Sequence, residues 1–141
     1  MRTSIASFVR SCGIALALVV PAFAPAQAAE LVMVETQGCS WCARWTEEIG
    51  PIFPKTEESR RAPLRRVDIA SLPGGDIALT RRVVYTPTFL LVEDGRELGR
   101  IEGYPGEDFF WGFLDRLLDD HDIAAPGGAQ AVGVPAGTPN G

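Results

Sequence analysis

The sequence predicts an α/β domain built on a small mixed sheet flanked by helices. Three observations carry this prediction. A short apolar run is followed at once by residues with helical spacing, a later apolar run is followed by an Asp-Gly turn and a second strand pattern, and the last patterned stretch is amphipathic. Strands joined through a helix are usually parallel and hairpin strands are antiparallel, so we expect both arrangements in one sheet.

The first strand and helix come from adjacent patterns. The run from Leu31 to Val34 is apolar and β-branched, which indicates a strand buried on both faces. From Cys39 onward apolar residues recur every three or four positions, which is one face of a helix. Pro51 and Pro54 should break this helix, because proline lacks the N–H and crowds the preceding turn.

The later elements follow from the same kinds of pattern. They are a second strand, a short helix after a Pro-Gly-Gly loop, a hairpin and a final helix, predicted over residues 64–69, 76–82, 88–101 and 107–121. We expect the final helix to bury a single apolar stripe, made of Phe110, Phe113, Leu114, Leu117 and Leu118.

Both ends of the 141-residue chain are expected to lie outside the domain. Residues 1–28 combine a positive start, an apolar run and an Ala26-Gln27-Ala28 site, the pattern of a secretory signal peptide cleaved near Ala28. Residues 124–141 are dense in Gly, Pro and Ala and carry no charge, which predicts a disordered tail. The folded domain is therefore predicted over residues 30–123 of an exported protein.

The charge of the chain argues against nucleic acid as a partner. Without Arg2 and Arg10 of the predicted signal, 11 of the 13 basic residues remain against 18 acidic ones, a net charge near −7. Nucleic-acid binding needs a basic face. The acidity is typical of a solvated surface.

Cys39 and Cys42 are the cysteines that the mature chain would keep, because Cys12 lies in the predicted signal. Cys39 falls at the start of the first helix, where unpaired N–H groups and the helix dipole favour a thiolate. Cys42 lies one turn later on the same face, among apolar residues, and can close a disulfide with Cys39. The pair predicts thiol–disulfide exchange in which Cys39 attacks and Cys42 resolves, with no cofactor beyond their own disulfide.

Three interpretations of the pair compete with exchange: a zinc site, a copper site and a passive structural disulfide. We expect no zinc site, because zinc needs about four ligands and the remaining candidate, His121, lies in a remote acidic stretch. Copper binding by the two thiolates stays open, and so does a passive structural disulfide. Trp41, between the cysteines, is expected to be exposed, either as a hydrophobic contact for substrate or packed on the domain's own surface.

Two motifs carry a family resemblance: Cys39-Ser-Trp-Cys42 after the first strand, and Tyr85-Thr-Pro-Thr-Phe-Leu-Leu-Val92 before an Asp-Gly turn. With them the chain resembles thioredoxin-fold thiol–disulfide oxidoreductases. The resemblance implies that Pro87 follows a cis bond and lies against the redox pair, and that the backbone of Thr86 binds an extended substrate segment. Met33 stands where that family usually has a buried acid, and whether Glu35 replaces it is open.

Two further stretches, Gly38 to Trp45 and Glu48 to Thr56, narrow the resemblance to SoxS, the periplasmic thioredoxin-like proteins of bacterial sulfur-oxidation (Sox) systems. This implies a periplasmic reductant that frees the cysteine of the Sox carrier protein from disulfides and receives electrons from a membrane thiol donor. We expect the protein to be a monomer. A disulfide oxidase or isomerase is the competing hypothesis, because Ser40-Trp41 does not by itself fix the direction of electron flow.

Overall fold

The computed structural model describes residues 28–126, which form a four-stranded sheet with helices around it. The strands are β1 (Glu30–Glu35), β2 (Leu64–Asp68), β3 (Thr88–Glu93) and β4 (Arg96–Glu102). The helices are α1 (Ser40–Glu48), α2 (Glu57–Arg61) and α3 (Glu107–Asp120), with 3₁₀ turns at Phe53–Lys55 and Ile69–Ser71.

The strand order is β2-β1-β3-β4, which confirms the predicted mixed sheet. β1 and β2 are parallel, whereas β1 with β3 and β3 with β4 are antiparallel. The central strand β1 has no exposed surface from Leu31 to Val34, so the apolar run did indicate burial on both faces.

One face of the sheet packs against α1 and α3. Its centre is Trp45 of α1, which is fully buried and lies 5.3 Å from the ring of Phe89 and 5.7 Å from that of Phe110, between centroids. Aromatic pairs at such distances contribute packing energy beyond the area they bury. α1 is therefore fixed to the sheet by the largest side chains of the core.

The other face is covered without a helix, so the prediction of a helix over residues 76–82 is wrong. Ile77 and Val83 are buried against the sheet there, and Leu72 from the preceding turn joins them. Ala78 forms an isolated bridge to Arg96, with Ala78 N–H donating to Gly95 O at 2.7 Å. The segment is irregular rather than helical: its backbone bonds to the hairpin at Ala78, and its buried residues contact the sheet from a loop.

Two helical details also differ from expectation. Phe113 is exposed, so the predicted stripe of α3 buries Phe110, Leu114 and Leu118 and leaves Phe113 in solvent. The short helix α2 was not predicted, although Thr56 caps it by accepting a hydrogen bond from Ser59 N–H at 3.2 Å.

The predicted signal peptide, except for Ala28, and most of the predicted tail lie outside the described residues. The boundaries proposed for them stay predictions. Of the helices within residues 28–126, none has the length and apolarity that crossing a membrane requires.

Candidate active site

The redox pair lies where β1 passes into α1. The connection contains Gly38 at φ +78°, a backbone conformation that residues other than glycine rarely adopt. Cys39 follows as the N-cap of α1, in extended conformation, with Ser40 opening the helix. The predicted placement of Cys39 at a helix start is therefore what the structure shows.

Cys39 and Cys42 are joined by a disulfide, with 5.3 Å between their Cα atoms. Cys42 N–H donates to Cys39 Sγ at 3.1 Å, so one of the free amides of the first turn points at this sulfur. Cys39 is partly exposed, whereas Cys42 is 4 % exposed and belongs to the apolar core. The two sulfurs thus differ in access: the outer one faces solvent and the inner one lies behind it.

A groove beside the pair holds a chain of polar contacts. Arg66 of β2 donates from Nε and Nη2 to the Glu35 carboxylate, at 3.0 and 2.6 Å, and from Nη2 to Thr46 Oγ1 at 2.7 Å. Thr46 in turn donates to Cys42 O at 2.8 Å. Glu35 and both cysteines line this groove, but the carboxylate of Glu35 is engaged by a guanidinium rather than isolated.

The exposed side of α1 carries Trp41, which is 52 % exposed, as expected. The guanidinium of Arg44 lies 5.6 Å from its ring centroid and donates from Nε to Glu48 at 2.9 Å. Tyr104 donates to the other oxygen of Glu48 at 2.6 Å. Burial and then this bond to Glu48 raise the pKa of Tyr104, while the Tyr104 and Arg44 bonds lower the pKa of Glu48. A series of contacts thus connects the Trp41 ring through Arg44 and Glu48 to the buried Tyr104.

The Thr86–Pro87 peptide bond is cis, as the resemblance implies, and Pro87 is buried. Thr88, the next residue, pairs with Val34 near the end of β1. The start of β3 and the end of β1 therefore lie at the same end of the sheet, and from there the chain continues to Cys39. Thr88 Oγ1 donates to Tyr85 O at 2.8 Å, which ties the residues before the cis bond to the strand.

Sequence reasoning did not find the role of Arg66 in the groove, because paired arginines are usually solvated. A signal was present: Arg66 lies opposite Met33 if the two strands are parallel, and so on the face that α1 covers. Within residues 28–126, no group of three or more His, Cys, Asp or Glu side chains is arranged to hold a metal ion.

No protein-family model and no curated protein matches the chain. Solved structures do. The periplasmic thioredoxin SoxS from Paracoccus pantotrophus, in its reduced form, is 46 % identical, and the match covers 66 % of this chain and 98 % of that one with a TM-score of 0.63.

Two other thioredoxins match with lower similarity. That of Fasciola hepatica is 22 % identical, covering 62 % of this chain and 79 % of that one, with a TM-score of 0.46. That of Malassezia sympodialis is 16 % identical, covering 64 % and 76 %, also with a TM-score of 0.46.

The match to SoxS spans nearly all of that protein. The structure adds a disulfide between the two cysteines of the Cys-x-x-Cys motif and a cis-proline just before β3, at the same end of the sheet. The chain is therefore a member of the thioredoxin family, a redox protein that resembles SoxS.

Proposed function

We propose that the protein is a thiol–disulfide oxidoreductase of the periplasm that reduces a disulfide on a partner protein. The observation that carries this proposal is the 46 % identity to the periplasmic thioredoxin SoxS across 98 % of that chain. Export after removal of residues 1–28 agrees with the signal pattern of the sequence.

Cys39 is the nucleophile and Cys42 the resolving thiol in this proposal. The Cys39 thiolate attacks a substrate disulfide, forms a mixed disulfide and releases one substrate thiolate, which takes a proton. Cys42 then loses its proton and attacks Cys39 Sγ, which closes the Cys39–Cys42 disulfide and releases the second substrate thiol. Two electrons and two protons pass to the substrate, and a donor dithiol returns them.

The accessibility of the two sulfurs supports this division of roles. Only the partly exposed Cys39 is open to a large substrate, and the Cys42 N–H directed at its sulfur favours negative charge there. Cys42 is buried one turn behind, within bonding distance of Cys39, which suits an intramolecular second step.

Thr86, Pro87 and Trp41 are proposed to bind the substrate. Within the described part of the chain, the N–H and C=O groups of Thr86 have no hydrogen-bond partner, so an extended segment can pair with them. Trp41 offers a large exposed aromatic surface next to Cys39, of the kind that carries much of the energy in protein interfaces.

The proposed substrate is the Sox carrier protein, or another partner with a disulfide or modified cysteine, and the proposed donor is a membrane thiol protein. The protein is proposed to act as a monomer. The assignments of substrate and donor extend the resemblance to SoxS.

Trapping tests the substrate and the roles of the cysteines together. Cys42→Ser removes the resolving thiol, so mixed disulfides through Cys39 should accumulate in a periplasmic extract and should be cleaved by a reducing agent. Cys39→Ser is the matched control and should trap nothing. If Cys42→Ser also traps nothing, or if Cys39→Ser traps as much as Cys42→Ser, the exchange cycle is wrong. If the captured protein is not the Sox carrier, only the assignment of the Sox carrier as substrate is wrong.

The reduction potential of the Cys39–Cys42 couple tests the direction. A reductant should lie near the value of thioredoxin, about −270 mV, and an oxidase near that of DsbA, about −120 mV. A value at the oxidising end would favour the oxidase or isomerase hypothesis.

A further inference from the structure

Thr86, proposed above to bind the substrate, and its exposed neighbour Tyr85 lie at the end of a segment with little regular structure. Between the 3₁₀ turn that ends at Ser71 and the start of β3, the described chain contains no helix and no strand beyond the single bridge at Ala78. We refer to residues 78–87 as the approach segment. Because it lacks a ladder of its own, its conformation must be set by what it contacts.

A buried ion pair holds the approach segment to β4. Glu97 and Arg100 have side chains only 1 % and 4 % exposed, and Arg100 donates to both Glu97 carboxylate oxygens, from Nη2 at 2.7 Å. Arg100 Nη1 also donates to Glu102 Oε1 at 3.4 Å, and both partners bond to the backbone of the segment. Thr80 N–H donates to Glu97 Oε2 at 2.8 Å, and Arg100 Nη2 donates to Arg81 O at 2.7 Å.

A β-bulge brings the two charges together. Glu97 pairs with Val92 and Arg100 with Leu90, while Leu98 between them has no partner in the ladder. Residues three apart on a regular strand point to opposite faces, but the extra residue turns Glu97 and Arg100 to the same face. That face is the one covered by the approach segment.

The energetics suggest a task for the pair beyond stability. A buried ion pair is often no more stabilising than well-packed apolar residues of similar volume, because both charges lose their hydration. Apolar side chains, however, cannot form a hydrogen bond with the N–H of Thr80 or the carbonyl of Arg81. Only polar groups can fix the backbone of the segment at these points.

We propose that Glu97 and Arg100 are positioning residues for the substrate-binding segment: they fix residues 80–82, and thereby set where Tyr85 and Thr86 meet a protein substrate. This inference rests on the proposed function. From Arg82 the chain reaches Thr86 in four residues, with Val83 buried on the way and Tyr85 O bonded to Thr88. A shift at Arg81 is therefore transmitted over a short and anchored stretch to Tyr85, whose side chain is 65 % exposed.

The test compares a protein disulfide with a small one. The double variant Glu97→Met with Arg100→Met replaces the pair by apolar side chains and leaves no unpaired charge. Arg100→Lys keeps the charge but loses the planar fork that bonds Glu97 and Arg81 together. Arg60→Met, which breaks the exposed pair with Glu57, is the matched control. For each full-length variant, kcat and KM are measured with insulin as the protein disulfide. The rate at which reduced Cys39 reacts with an aromatic disulfide reagent is measured as well.

We expect KM for insulin to rise about tenfold or more in the double variant and less in Arg100→Lys, because small misplacements of binding groups have large effects. The rate with the small disulfide should stay within about twofold, since α1 is untouched. The amide NMR signals of Tyr85 and Thr86 should shift while those of Ser40–Glu48 stay in place. Arg60→Met should change none of these.

Unchanged insulin kinetics and unchanged amide signals in folded variants would overturn the inference. An equal loss with both disulfides would also overturn it, because the pair would then act on Cys39 or on the fold as a whole. If the wild-type protein does not reduce insulin at all, the proposed function is what fails, and the amide signals still decide whether the pair positions the segment. If the double variant does not fold, Arg100→Lys decides alone.

Discussion

Two segments lie at the end of the sheet where β1 leads to the redox pair, and they are held in place by different forces. α1 begins at the cysteines as a regular helix, and its buried side chains pack into an aromatic core on one face of the sheet. The approach segment reaches the same sheet edge as an irregular chain, and a buried ion pair of β4 fixes its backbone. Cys39, the proposed nucleophile, thus lies on a regular local element, whereas the proposed substrate-binding backbone is bonded to polar side chains of a different strand.

The largest expected effect comes from the core beneath α1. Trp45→Ala removes a fully buried indole that contacts Phe89 and Phe110, and should lower the free energy of unfolding by about 3–5 kcal/mol. Urea denaturation measures it. Trp41→Ala, an exposed tryptophan of the same helix, is the control and should stay within about 0.5 kcal/mol. Equal losses in both variants would mean that α1 is not anchored through Trp45.

A smaller effect, dependent on pH, is expected from the ion pair at the approach segment. Burial raises the pKa of Glu97, but hydrogen bonds from Arg100 and Thr80 outweigh burial and hold the pKa below its ordinary value. A lowered pKa in the folded state means that this carboxylate contributes stability above its unfolded pKa, about 4.3, which is lost as the pH falls through the lower folded value.

Glu97→Gln tests that pH dependence. It leaves the Arg100 charge buried with a weaker partner, and should cost about 2–4 kcal/mol at pH 7. The difference in urea midpoint between wild type and variant should shrink as the pH falls below the unfolded pKa of about 4.3, because the carboxylate of the unfolded wild-type chain then binds a proton more readily than the folded one. A difference independent of pH between 7 and 3 would show that the charge of Glu97 does not stabilise the fold.

The smallest expected effect concerns the groove beside α1. Arg66→Met leaves the Glu35 carboxylate without its partner near both cysteines, so the thiolate of reduced Cys39 should become less favoured. Because the Glu35–Arg66 pair is partly exposed, the effect should stay below about 1 kcal/mol, a severalfold fall in alkylation rate at neutral pH. Arg60→Met removes the same charge from an exposed pair on α2 and should leave the rate unchanged. A rate in Arg66→Met equal to that of the control would remove Arg66 from the site.

The two segments also differ in what the sequence reveals. The strand of Leu31–Val34, the helix after Cys39, the hairpin and α3 were predicted because each is encoded by its own apolar period or turn residues. Residues 76–82 were predicted as a helix and are irregular instead. The backbone of residues 80–82 bonds to Glu97 and Arg100, which lie beyond β3 in the sequence and share a face only because of a bulge. Local patterns carry no sign of such a contact.

The site shows the same division. The disulfide between Cys39 and Cys42, the exposure of Trp41 and the cis bond before Pro87 agree with expectations drawn from short motifs. Arg66 in the groove was missed because its place depends on the parallel register of β2 with β1. Groups brought in by pairing between strands are seen only once the sheet is assembled.

The order in which the two thiols of the reduced protein react tests the proposed roles of Cys39 and Cys42 most directly. We expect a limiting amount of iodoacetamide at pH 7, followed by peptide mass analysis, to label Cys39 well before Cys42, because the outer sulfur is partly exposed at the helix start and the inner one is buried. Labelling of Cys42 first, or of neither thiol, would contradict it.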